Sequence, residues 1–232
     1  MDKPLNEFYD EVVRRCEPDD FWGQVMRSMG GNRFPEERVE MIVSAIIEGL
    51  DLREDDYLLD LCCGNGALST RVFARCRGGY GVDFSGELIR VARENFEDSP
   101  RETYQLGDVV EYLGLEPRPE RFTKVVCYGS FQCLAQDDAR RFLADINRRF
   151  VGVSRIFLGN MPDLDRLDDY PAGKRHSKGC EREHNSMFGV WRTKDEIVEL
   201  AREAGWSAEV STMPSSFPAA TFRFDAVLTR SR

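Results

Sequence analysis

"LLDLCCGNGALS", residues 58–69, is the stretch on which the reading of this chain turns. With Tyr57 ahead of it, the run to Cys62 is apolar, bounded by glycine and too short for a helix, so it reads as a buried strand. The residues after that strand offer two readings. Adjacent cysteines suggest metal or redox chemistry, whereas Gly64 and Gly66 suggest a loop whose backbone comes close to a ligand. A metal would need further ligands at suitable spacing, and none stand nearby. The seven cysteines are odd in number, show no Cys-x-x-Cys spacing and follow no secretory signal. They read as reduced thiols, mostly core residues.

Outward from this stretch, strands and helices alternate. "GGYGVDF" (78–84), "ETYQLGD" (102–108), "FTKVVCYG" (122–129) and "SRIFLGN" (154–160) are four more strands. Between them, helical spacing runs through 66–76, 85–96 and 137–150, with Ser85 as an N-cap. "TKDEIVELAREAGW" opens on Thr193 and Glu196, a capping-box pattern. "SAEVSTM" and "FRFDAVLTR" then read as an antiparallel pair at the sheet edge. The fold class is α/β: a doubly wound, seven-stranded, mostly parallel sheet. The 232 residues form one domain. Residues 1–50 look all-helical, with 1–40 a helical cap, and 161–190 form a long loop suited to an active-site lid.

A net charge of −9 argues against a phosphate-binding face, so no nucleic-acid partner is expected. There is no signal peptide and no run of eighteen apolar residues. The expectation is a soluble, cytoplasmic protein without a membrane partner; its oligomeric state is open.

Ligands of open α/β sheets bind at the carboxyl ends of the strands. Three acids end the first three strands: Asp60, Asp83, placed to accept from ribose hydroxyls, and Asp108, placed to accept from an adenine amino group. Asp108 would equally cap the next helix. A nicotinamide-binding fold would also use Asp83, but its Gly-x-Gly-x-x-Gly would need glycine at Ser69. "LLDLCCGNGALS", "YGVDFSGELIRVAREN" and "YQLGDVVEYL" together resemble the successive cofactor motifs of class I S-adenosylmethionine-dependent methyltransferases. The resemblance spans roughly residues 40–230. It implies S-adenosylmethionine as cofactor, with Asp60 and Gly64 bordering its methionine part and Cys62, Cys63 and Gly66 in the same cofactor-binding loop. Asp83 would hold the ribose, Phe84 flank the adenine, and Asp108 with the Val109 amide read its edge. Cys62 replaces the motif's first glycine, which implies backbone angles that a β-carbon accepts.

On the acceptor side, "CYGSFQCL" lacks the (D/N)PP(Y/F) signature of amino-methylating enzymes and the acid of metal-dependent catechol enzymes. Tyr128 touches the cofactor or the acceptor, or packs in the core. His176 and His184 both fall in the lid. With Cys180 they have a spacing that would put three zinc ligands on one helix face, but glycines at 173 and 179 argue against a helix, and no metal is expected. Either histidine is a candidate general base, His184 favoured for its apolar neighbours Met187, Phe188 and Trp191. Arg33 is a candidate partner for the methionine carboxylate. The expected reaction is O-methylation of a small molecule, a sugar or secondary metabolite. The alternatives are a non-catalytic nucleotide-binding protein and an enzyme modifying protein or tRNA.

Overall fold

The computed structural model describes residues 4–29, 32–170, 179–186, 188–217 and 219–231. After the N-terminal helices α1 (Leu5–Arg15) and α2 (Phe21–Gln24), two short strands, β1 (Ser28–Met29) and β2 (Asn32–Arg33), pair antiparallel. The first fifty residues are therefore not wholly helical. Helix α3 (Glu36–Leu50) then leads into a seven-stranded sheet.

Five strands are parallel: β3 (Tyr57–Leu61), β4 (Gly78–Asp83), β5 (Glu102–Leu106), β6 (Lys124–Tyr128) and β7 (Arg155–Pro162). The last two, β8 (Trp206–Thr212) and β9 (Arg223–Arg230), are antiparallel, and the order across the sheet is β5-β4-β3-β6-β7-β9-β8. The closing pair at the sheet edge is as the sequence suggests. The order reverses at β3, which has β4 on one side and β6 on the other, so a crevice opens at the carboxyl ends there.

The sheet is buried on both faces, which is why its central strands read as continuous apolar runs rather than alternating ones. Alternation shows instead in which core each side chain joins. Leu59, Leu61, Val125, Cys127, Ile156 and Leu158 pack with α6 (Val109–Leu115), α7 (Gln136–Arg149) and α8 (Lys194–Glu203). Leu58, Val126, Tyr128 and Phe157 pack on the other side with α3, α4 (Ser69–Phe73) and α5 (Gly86–Phe96). The helix read over 66–76 is thus only the five residues of α4, because the glycine loop occupies its start. The capping box forms as read: Thr193 Oγ1 accepts from the Glu196 amide, and Glu196 accepts from the Thr193 amide.

Within 161–190, β7 continues to Pro162 and a 3₁₀ segment spans Leu164–Asp169. The chain returns with Trp191 fully buried and the Val190 amide bonded to the Gln132 carbonyl at 2.7 Å. Among the described residues no helix is long and apolar enough to cross a membrane.

Candidate active site

A cavity of about 510 Å³ opens at the crevice, within the 300–1,000 Å³ usual for small-molecule sites. Its floor is the carboxyl edge of the sheet. Asp60 lies near the end of β3, Asp83 ends β4, Asp108 follows β5, Tyr128 ends β6 and Asn160 lies near the end of β7. The roof comes from the N-terminal cap, with Phe8, Tyr9, Trp22, Val25 and Arg27 all lining it, and from Phe188.

The loop after β3 is held from both sides. Asp83 Oδ2 accepts from the Gly64 amide at 2.9 Å, and Oδ1 from the Ser85 amide at 3.0 Å. Asn65 donates to the Phe21 carbonyl and to Gln24 Oε1, tying the loop to α2. Gly64 has φ +58°, and a Cβ there would stand 3.0 Å from a Val25 methyl, so the absent side chain is what lets the cap close on the loop. Cys62 departs from the expectation drawn from its β-carbon: its φ is +68°, in the left-handed region. The loop keeps the backbone shape that the motif's glycine would give, at a cost of about 1–3 kcal/mol for a residue with a side chain.

Asp60 is buried and accepts a 2.6 Å bond from the Ser69 hydroxyl. Burial pushes its carboxyl up to about 7, with a further push from Asp83 and an opposing pull from Ser69 and Arg27. Asp83 is raised to about 6 by burial, against the amides that bond it. Asp108 Oδ1 caps α6 through the Val110 and Glu111 amides, yet Asp108 also lines the cavity. The capping reading holds, and capping leaves Asp108 at the cavity wall. The Cys62 thiol is driven well above its ordinary range by its contact with Cys127 and by burial, and Cys63 by burial, so both stay protonated. Among the described residues no cluster of three or more His, Cys, Asp or Glu is placed to hold a metal.

All ten residues expected around the cofactor except Gly66 line the cavity. Gly66, with φ +78°, instead lets the loop pass Tyr104, whose ring a Cβ would meet at 2.9 Å. The expected base is not brought there: His184 stands exposed and outside the lining, because the chain around it runs over the surface before Val190 turns inward. His176 lies outside the described residues, as does Met187. Arg33 is exposed and paired with Asp19 at 2.8 Å, and it does not line the cavity. Arg27 does. Its guanidinium lies 4.8 Å from the Tyr128 ring centroid, within the field of Asp60, and its buried Nη1 has no hydrogen-bond partner.

Sequence reasoning also passed over Gln132, whose Nε2 donates to the Gly129 carbonyl at 2.6 Å while its buried Oε1 has no partner. Arg223 was missed too. The available signal was topological, since an antiparallel strand enters the sheet at the carboxyl edge of its parallel neighbours, placing its first residue by the cavity.

Residues 58–150 match the methyltransferase domain family. Ribosomal RNA small subunit methyltransferase A of Synechococcus sp. (strain WH7803) is 33% identical over 90 residues, 38% of this chain and 32% of that protein. An uncharacterized methyltransferase of Schizosaccharomyces pombe is 31% identical over 77 residues, 33% of this chain and 28% of that one. The chain thus spans about a third of the length of these relatives. Magnesium protoporphyrin IX methyltransferase from Synechocystis PCC 6803, solved with S-adenosylhomocysteine, superposes with TM-score 0.63 at 15% identity, covering 98% of each chain. A TehB-like S-adenosylmethionine-dependent methyltransferase from Corynebacterium glutamicum gives 0.59 at 17% identity, covering 97% of this chain and 98% of that one.

Proposed function

We infer, from residues 58–150 that match the methyltransferase domain family and a fold shared with class I enzymes, that the chain transfers a methyl group from S-adenosylmethionine to a small-molecule acceptor. The observation that carries this reading is the convergence of Asp60, Asp83 and Asp108, from three adjacent parallel strands, on one cavity.

The residues present suit that cofactor. Asp83 has used one acceptor position on each oxygen, and a carboxylate offers about four, which leaves positions for ribose hydroxyls. Phe84 and Val109 offer apolar surface beside an adenine whose edge meets Asp108. The unpartnered Nη1 of Arg27, at the Asp60 end, suits the methionine carboxylate. The cofactor supplies an electrophilic methyl on a sulfonium.

The chain's own contribution is positioning. An acceptor held about 3 Å from the methyl and in line with the departing sulfur gains most of the available acceleration from orientation alone. Tyr128, Gln132 and Asn160 wall the acceptor side, and the N-terminal cap and Phe188 shield it from water. O-methylation of a hydroxyl also needs a proton acceptor. His176 remains the lid candidate for that role; His184 does not line the cavity. A net charge of −9 and a roofed cavity favour a small acceptor over nucleic acid, although ribosomal RNA enzymes are among the relatives.

Calorimetric titration with S-adenosylhomocysteine tests the reading. Asp83→Asn should weaken binding by about 1.5–3 kcal/mol, the worth of hydrogen bonds to a charged group. Unchanged affinity, or tight NADH binding in its place, would overturn the assignment.

A further inference from the structure

We propose that the acceptor is a carboxylic acid and that Arg223 is the residue that recognises its carboxylate. This rests on the methyltransferase reading above.

Arg223 opens β9, opposite Pro162 of β7, and lines the cavity beside Asn160 and Phe188. It donates to the Asn160 carbonyl. Among the described residues it makes no ion pair with any carboxylate. The groups that act on it electrostatically are Tyr128, Cys133, Tyr170 and a second arginine, Arg27. Surface arginines such as Arg14, Arg33, Arg71 and Arg90 each hold a glutamate or aspartate, whereas Arg149, Arg192 and Arg230, like Arg223, donate to carbonyls but lie outside the cavity. This is a chain with 41 acidic residues, and none of those described is set against the Arg223 guanidinium.

A guanidinium drawn out of water without a counter-ion is costly unless a ligand supplies one. Burial brings Arg223 down to about 10, so it still carries its charge at neutral pH. Its planar fork matches the two oxygens of a carboxylate, a fit that an ammonium does not offer. The overall negative charge repels anions at long range, so an acid that binds here must be held by local cations. Two are available, and their surroundings divide them. Arg27 lies in the field of Asp60, at the cofactor end. Arg223 lies at the ends of β7 and β9, on the acceptor side.

The experiment uses the full chain saturated with S-adenosylhomocysteine and a panel of aliphatic and aromatic hydroxycarboxylic acids, each paired with its uncharged amide. Binding is read by calorimetry on the wild type, R223Q and R223K. Acids should bind at least about tenfold more tightly than their amides. R223Q should erase that preference, and R223K should restore part of it. S-Adenosylhomocysteine affinity should stay level in both variants and the unfolding midpoint should not fall, rising in R223Q as the uncompensated charge is removed, which separates lost recognition from lost folding. Amides binding as well as acids, acids binding R223Q undiminished, or no acid of the panel binding would each overturn the proposal while the methyltransferase reading stands. Failure of the wild type to bind S-adenosylhomocysteine would strike the methyltransferase reading itself.

Discussion

Replacing Asp60 by Asn should make the cofactor-free protein more stable in alkali than in acid, relative to the wild type. Asp60 is raised from 3.8 to about 7, chiefly by burial at the end of β3. The folded protein therefore keeps a proton on this group across that interval, whereas the unfolded chain has released it. The stability linked to Asp60 is full below 3.8 and is lost as the pH climbs through about 7. Asn carries no charge and still accepts the Ser69 hydroxyl, so its stability lacks this dependence. Each pH unit between about 5 and 7 is worth about 1.4 kcal/mol, so the variant should gain about 3 kcal/mol on the wild type between pH 5 and pH 8.5. Removing one carboxylate also relieves Asp83, which adds to the gain in the same direction. Urea unfolding of both proteins at a series of pH values, with the slope on denaturant held common, measures the difference directly. A difference that stays flat from pH 5 to 8.5 would refute the argument, because Asp60 would then be ionising in a wet crevice.

Arg27→Met should weaken S-adenosylhomocysteine by about 1.5–3 kcal/mol, whereas Arg33→Met leaves it level; calorimetry on both variants distinguishes the two arginines. Cys62→Val should lower stability by about 2 kcal/mol or more, since a β-branched side chain tolerates φ +68° poorly, while Cys62→Gly keeps cofactor affinity; denaturation midpoints and titrations read the pair. His184→Ala should leave turnover within about twofold once an acceptor is found, against the 10²–10⁴-fold loss expected of a general base. Thr193→Ala should cost about 1 kcal/mol through loss of the capping box, measured by thermal unfolding.

The frame of this molecule was legible because it rests on local signals. Short apolar runs, the glycines at 64 and 66 and the acids ending three strands are all set by neighbouring residues, and they place Asp60, Asp83 and Asp108 at one crevice. The site's walls were less legible because they depend on contacts distant in sequence. Arg27 and Arg33 look alike within one short segment. Met26, at φ +60°, and the strand pair after it send one inward to Tyr128 and the other out to Asp19. Met187, Phe188 and Trp191 read as a patch that would seat His184, but Trp191 is buried in the protein and His184 faces solvent. Cys62 was misjudged in one respect: the loop's geometry belongs to the strand–loop–helix unit and is imposed on whichever residue stands there.

Asp10 has a bearing on what can dock at the start of α5. From α1 its Oδ1 accepts both the Ser85 hydroxyl at 2.6 Å and the Glu87 amide at 3.1 Å, so the start of α5 is stoppered by the protein's own carboxylate. An open helix start attracts phosphate through its bare amides and its dipole. Here an anion would meet Asp10 and Asp83 instead. A carboxylate carried in by α1 thus closes the start of α5 to anions, and the same contact fastens the N-terminal cap to the sheet's helices.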